Sequence, residues 1–574
     1  MARSPRRAPS ALARARTAAP FAAVLALLGL ALPARAQDHS MHMTHDVESG
    51  AAWRMVPMDP NMPMLPGIES LVPSVGAFLP GAGVDPATLP EARPSQRVAM
   101  ENGDTLDISV SLVRRALAGH EMVMYGYNGQ YPGPLIQAPQ GSTVIVRVTN
   151  DIELPTTIHW HGVRLDNRFD GVPGVTQEQI ERGESFTYEV TVPDAGMFWY
   201  HPHVREDVQQ DLGLFGNLLV TSPDPEYWGP AHREELFVLD DMLIDPMGAL
   251  PWGQSAPTHA LMGRFGNVMM VNGETDHRLS VRSGEVVRLF LTNVANTRTF
   301  NVTFGGARVK VVASDVGRFE REQWVGSVVI APAERYVVDV RFEEAGRVAI
   351  ANTIQAVNHF RGEFYPHVDT LALVTVSDEP ATPDLSEAFE TLREHAAEIA
   401  DIDRFRPHFD REPDHEIETT LRVQGLPIPI VQAMEMDTLY VPPMEWNDAM
   451  PMMNWLSTAD QVEWILRDTR TGAENGDISW RFEVGDVVKI RVFNNPKSFH
   501  PMAHPFHIHG QRFLVTSIDG VPNGNLVWKD TVIVPVGSTV DLLLDVTNPG
   551  TWMAHCHIAE HLHSGMMFSF AVDP

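Results

Sequence analysis

Cysteine is nearly absent from this chain. Cys556 is the single thiol among 574 residues, so no intrachain disulfide framework can hold the fold. Basic residues are scarce as well: 43 Lys and Arg stand against 73 Asp and Glu, a net charge of −30. Attraction to phosphate backbones or anionic lipid needs clustered Lys and Arg, so nucleic acid is excluded as a partner. Long apolar runs are missing too, apart from one near the start. What the sequence does have is 24 His and 26 Met, a large stock of nitrogen and sulfur metal ligands.

The one apolar run, 18–32, follows Arg3, Arg6, Arg7, Arg14 and Arg16 and closes on the small-residue pattern Ala34, Arg35, Ala36. It is shorter than the about 20 residues a membrane anchor needs. Residues 1–36 therefore read as an export signal, with the rest of the protein periplasmic or extracellular and without stable membrane insertion. Arg6 and Arg7 leave a twin-arginine or a general export route open. An unpaired cysteine in an exported protein calls for either a free thiol or a bound metal. Residues 37–90 carry Met41, Met43, Met55, Met58, Met62 and Met64 beside His39, His42 and His45. That segment reads either as an exposed, partly disordered arm or as a collector of soft metal.

Three stretches share a pattern of turn glycine, alternating β-branched strand and closing asparagine: 141–150, 284–293 and 485–494. The pattern predicts three similar β-domains. Short strands between Gly, Pro and Asn turns predict an all-β protein of three consecutive cupredoxin-like Greek-key β-sandwich domains, at 91–225, 226–376 and 416–574. An acidic linker, 377–415, is expected between the second and third, with one helix over 385–399. A second repeat places a histidine five residues past a glycine at His201, after Gly196, and at His555, after Gly550. The middle copy has Ala351 there, so the middle domain is expected to keep the architecture without the ligand.

Histidine clusters carry the functional argument: His159 and His161; His201 and His203; His504, His507 and His509; His555 and His557, with Cys556 between them and His561 and Met566 after. A single histidine in a β-protein is more often structural than ligating. Four His-x-His pairs change that, because side chains at i and i+2 of a strand share a face. Cys556 then points away from His555 and His557, and His504 has the opposite parity to His507 and His509. Two separate metal sites follow. Cys556, His504, His561 and Met566 make the thiolate, imidazole and thioether set of a blue-copper site; structural zinc would not use Met or explain the other histidines. The remaining eight, His159, His161, His201, His203, His507, His509, His555 and His557, exceed the coordination number of any single first-row ion and imply a multinuclear cluster bridging the first and third domains.

With these motifs in order over roughly residues 100–574, and the early segment 127–134, the chain resembles the three-domain multicopper oxidases of the laccase and copper-efflux oxidase group. The resemblance implies four copper ions, one type 1, one type 2 and two type 3, with O2 as final acceptor. It implies that His159 and His507 hold the type 2 ion, and that the type 3 ions are held by His161, His201 and His557 and by His203, His509 and His555. It implies electron entry at the edge of His561, nearest the surface in similar laccases, and passage through Cys556. Asp170, eleven residues after His159, matches the family's acidic proton relay; it also reads as a turn residue before Gly171. The family's further relay glutamate after the second type 1 histidine is Leu562 here, followed by His563, and is not carried over. His500 and His563 are treated as structural or surface residues.

A small reducing substrate is expected: a phenol, an aromatic amine or Cu(I). Met434, Met436, Met444, Met450, Met452 and Met453 form a second methionine-rich stretch that suits Cu(I) oxidation or, equally, an irregular core. The alternative function is a cuprous oxidase or copper-sequestering protein of copper tolerance. A copper nitrite reductase, generally two-domain with fewer histidines, fits poorly. A monomer is expected.

Overall fold

The closing asparagine of each repeat explains why the pattern recurs. Asn150 donates to the carbonyls of Leu154 and Ile180 (both 2.9 Å) and accepts from the Ile152 amide (3.0 Å). Asn293 does the same with Arg298, Ile330 and Ala295. Asn494 donates to the carbonyls of Met502 (2.7 Å) and Val534 (2.9 Å). All three are buried and bracket the loop leaving the strand to a distant one, satisfying backbone groups that would otherwise lie orphaned in the core.

The computed structural model describes residues 50–55, 65–358, 363–436 and 451–574. Each repeat strand sits inside a sheet that packs on a second sheet around its own apolar core. Thr143–Asn150 lies in a four-stranded sheet and alternates burial as a strand with one buried face does. Glu285–Asn293 is buried along its whole length in a six-stranded sheet. Val487–Asn494 lies in the largest sheet of the third unit, facing a five-stranded one. Parallel and antiparallel pairs mix within these sheets.

The second sheets matter for function. In the first unit the edge strand His159–His161 pairs antiparallel with Gly196–His201, setting His159 opposite His201. In the third, His504–Ile508 pairs with Gly550–Cys556, setting His507 opposite His555 and Phe506 opposite Cys556. The middle unit repeats the pair as Phe300–Thr303 against Gly346–Asn358, with Thr303 opposite Ala351. It keeps the scaffold and carries no histidine there.

Two expectations change. The stretch 385–399 is two helices, Ser386–Glu390 and Ala396–Asp403. Between them the chain turns extended so that the His395 ring can donate to the Phe319 carbonyl (2.6 Å), a tertiary contact that outweighs local helix propensity. The arm is not loose where it is described. Ile68 and Phe78 are buried, Ala77–Phe78 pairs with Trp252–Gly253, and Arg54 forks onto Asp245. The leader and most of the methionine-rich positions lie outside the described residues. Among those described, Met452 is buried in the core, where its sulfur accepts from the Leu65 amide, as a gap-filling methionine does, and Met55 is half-buried against the same core. Among the described residues no helix is long and apolar enough to cross a membrane.

Candidate metal centre

Because His507 faces His555 and Phe506 faces Cys556, odd and even positions of this strand pair look into different pockets. On one side the Cys556 Sγ lies 3.5 Å from His504 Nδ1 and 3.8 Å from His561 Nδ1. Met566 is fully buried, and its carbonyl accepts from the Cys556 amide (3.1 Å), closing the loop between them. Trp464 stacks on the His561 ring at 4.1 Å and meets His504 edge-on at 4.9 Å. Burial pushes the Cys556 thiol up and the His504 imidazole down to about 3. Without a cation this pocket keeps a neutral thiol beside neutral rings, and a metal is what makes the thiolate affordable.

His561 is fully buried. The surface edge expected of it is absent, because Trp464 covers the ring and is itself tied by its indole N–H to the Ala260 carbonyl of the middle unit (2.7 Å). His500 is also buried and lowers the proton affinity of His561, after burial and His504. It is a structural neighbour of this pocket rather than a surface residue.

On the other side eight imidazoles converge, all buried. The ligating atoms of His161, His201 and His557 lie within 4.8 Å of one another; so do those of His203, His509 and His555, and those of His159, His161 and His507. One nitrogen of nearly every ring is committed outward. The Nδ1 atoms of His159, His201, His507 and His555 donate to the carbonyls of Asp170, Pro202, Asp530 and Cys556 at 2.7–2.8 Å. Those of His203 and His509 meet carboxylates, Glu206 Oε1 and Asp170 Oδ2, both at 2.9 Å. His161 is turned over: its Nε2 meets Asp530 Oδ1 at 3.0 Å.

The inward nitrogens, Nε2 of His159, His201, His203, His507 and His557 and Nδ1 of His161, are buried without a partner. His509 Nε2 and His555 Nε2 face each other at 3.0 Å. With the N–H pointing outward, each inward atom is a bare lone pair, and so many lone pairs buried together require cations between them. Burial first, then the neighbouring rings, hold His161, His201, His507, His509 and His555 well below the usual histidine range. The donors are therefore already in the neutral, metal-binding form. An all-imidazole cluster joined through one residue to a thiolate, imidazole and thioether site fits copper.

Several residues around the cluster carry no local sequence signal. Asp170 lies against the cluster: its carboxylate receives His509, and it leads into Gly171, where a φ of +84° and the close Ile158 carbonyl admit no side chain. Glu206, three residues after His203 on a short helix, links His203 to His563. His563, taken as a structural or surface residue, is instead tied to a carboxylate that touches the cluster. Burial opposes the charge on Glu206, but His563 and His203 outweigh it and keep its carboxyl well below its ordinary value. Glu560, beside His561, is driven by burial to about 8 and accepts from Thr297 (3.2 Å).

Comparison with known proteins agrees with this geometry. Three family models described as multicopper oxidase match residues 96–225, 251–370 and 447–574. The chain is 27% identical to the multicopper oxidase MmcO of Mycobacterium tuberculosis, over 80% of this chain and 86% of that one. It is 26% identical to Laccase-2 of Cryptococcus neoformans, over 79% and 82%. A multicopper oxidase structure from Pseudomonas thermotolerans superposes with a TM-score of 0.59 at 25% identity, covering 83% of this chain and all of that one. One from Campylobacter jejuni shares the fold with a TM-score of 0.63 at 21% identity, covering 88% and 99%. Matched by these models across all three sandwiches, the chain belongs to the multicopper oxidase family and is a laccase-like, copper-dependent oxidoreductase.

Proposed function

We propose that this protein binds four copper ions and couples the one-electron oxidation of four small reductant molecules to the reduction of one O2, with four protons, to two waters. The observation that carries this reading is the convergence of unpartnered ring nitrogens one residue away from Cys556. His504, Cys556, His561 and Met566 would hold a type 1 ion, and His159 with His507 a type 2 ion. His161, His201 and His557 would hold one type 3 ion, and His203, His509 and His555 the other. When bound, copper supplies one-electron redox chemistry at these positions. Cys556 joins the two sites covalently, since His555 and His557 are its chain neighbours. Asp170 orients His509, and its Oδ1, 3.3 Å from His159 Nδ1 and without a hydrogen bond, can carry protons to the cluster. The packed side chains around His561 exclude water from the entry point.

The reductant class we propose is phenols and aromatic amines. A second reading, Cu(I), draws on the methionine-rich stretch: its Met452 is buried in the same apolar core as Cys556, and it ends beside Asn454, which donates to the Gly263 carbonyl (2.7 Å). A Cβ on Gly263 would meet Ile558, two residues from Cys556, at 3.0 Å. The export signal read in residues 1–36 would place its action in the periplasm or outside the cell, and we propose that it acts as a monomer. The test is a copper count on purified, reconstituted protein, with O2 uptake scored against phenols, diamines, Cu(I), Mn(II) and Fe(II). About four ions and uptake with phenols or diamines are expected. Far fewer ions in active material, or uptake with none of the panel, would sink the reading.

A further inference from the structure

Among the described residues the middle domain gives the cluster no imidazole, yet one of its side chains reaches the cluster's edge. Arg335 begins the strand Arg335–Phe342 and is 1% exposed. Its guanidinium forks onto Asp530 of the third domain, Nη1 to Oδ1 at 2.8 Å and Nη2 to Oδ2 at 2.5 Å. Its Nε donates to the Met197 carbonyl (3.1 Å), in the first-domain strand that ends on His201. Arg335 is itself held from behind, since Asp315 Oδ1 accepts its amide (2.8 Å) and Asp315 Oδ2 pairs with Lys529 (2.9 Å). One side chain thus touches all three domains.

Asp530 passes that grip to the cluster. Its Oδ1 meets His161 Nε2 at 3.0 Å and accepts from Thr531 Oγ1 at 2.8 Å, while its carbonyl receives His507 Nδ1 at 2.8 Å. There is no slack: a side chain on Gly162 would collide with both Asp530 Oδ2 and Arg335 Nη2. A carboxylate held at one oxygen can rotate about its bond to Cβ, whereas a two-point fork stops that rotation. The stop matters most at His161. Its inward atom is Nδ1, and a flip of the ring would put a carbon where that lone pair now points.

We propose that Arg335 is a positioning residue for the copper cluster: by gripping both oxygens of Asp530 it fixes the His161 ring, so the ligand-free middle domain sets the geometry of one type 3 position. This rests on the copper reading above. The test is reconstituted Arg335→Gln, followed by copper count, electron paramagnetic resonance and turnover, with the visible colour expected from charge transfer between the Cys556 thiolate and copper as an internal control of fold. The colour is expected to persist while the spin-coupled pair is lost, seen as newly resonant copper or a deficit of about one ion, with turnover down about 10–100-fold. Wild-type resonance, copper count and turnover in that variant would overturn the proposal. If the glutamine variant also loses colour, Arg335→Lys decides. Colour with a partly recovered pair supports positioning; colour with a full wild-type pair, or no colour at all, refutes it. Failure of the copper reading is distinguishable, because the wild-type protein itself would then show no spin-coupled pair.

Discussion

The two groups of ligands meet at three consecutive residues, His555 to His557, and are otherwise built in opposite ways. The Cys556 pocket belongs to one domain and is lined by apolar matter: Trp464, Phe506, Ile558 and Met566 are all buried in one core. Among the described residues no carboxylate hydrogen-bonds to His504 or His561. The eight-imidazole group spans two domains, is braced by a third, and has oxygen behind its rings: Asp170, Glu206, Asp530 and four backbone carbonyls. A site that only passes an electron gains from a dry, rigid wall. On the function proposed above, the cluster must also receive protons, and the carboxylates that fix its rings at their outer nitrogens are placed where that proposal needs them.

Cys556→Ser breaks the comparison most severely. It removes the thiolate and the covalent bridge together, so the absorption of orange-red light vanishes and turnover falls to background, while the eight imidazoles, untouched, still bind about three coppers. Absorption, copper count and O2 uptake on one sample check this. Turnover persisting in the colourless variant would show that the two regions do not depend on each other.

Asp170→Asn acts on the cluster side alone. The amide keeps the shape but can no longer receive His509 as an anion, and turnover should fall about 10–100-fold with the colour unchanged. Steady-state rates in matched copper-loaded samples test it, and an unaltered rate would return Asp170 to the role of a turn residue.

Acid separates the copper-free and copper-loaded states. Among the candidate ligands eight rings have lowered proton affinity, six in the cluster and two, His504 and His561, in the Cys556 pocket. An unfolded histidine titrates near ~6.5. Below that pH the unfolded chain binds more protons than the folded one, so copper-free stability is fully present above about 6.5 and is lost as pH falls toward about 3, where His504 and His557 titrate. Copper competes with those protons, so the loaded protein should lose less. Melting temperatures between neutral pH and pH about 4 would show the two curves diverging, and parallel curves would contradict the picture.

How much of this was legible in sequence follows from the distance each contact spans. Strand parity is local, so the separation of Cys556 from His555 and His557 is written in three residues, and glycine, strand and asparagine mark each sandwich. The place of Asp170 beside the cluster was visible only through resemblance, while the residues themselves marked it as a turn before Gly171. The oxygens behind the rings were not visible, because His161 and Asp530 lie 369 positions apart and His563 and Glu206 lie 357 apart, with nothing local to mark either pair. The covering of His561 was hidden for the same reason: Trp464 and Ala260 are 204 residues apart. Helix propensity read 385–399 as continuous and could not anticipate the His395 contact that breaks it.

Trp464→Phe is the mildest probe and the most selective. Phenylalanine keeps a ring against His561 but loses the indole N–H bond to Ala260, a cost of about 1 kcal/mol in urea unfolding. The smaller ring also loosens the wall that keeps water from the Cys556 pocket, so the visible band should shift while the cluster's resonance stays as in the wild type. The prediction turns on where the change stops. A band that does not move would make Trp464 mere packing, and a change in the spin-coupled pair would mean that the apolar pocket and the oxygen-braced cluster form one mechanical unit, so that the division between them fails at its wall.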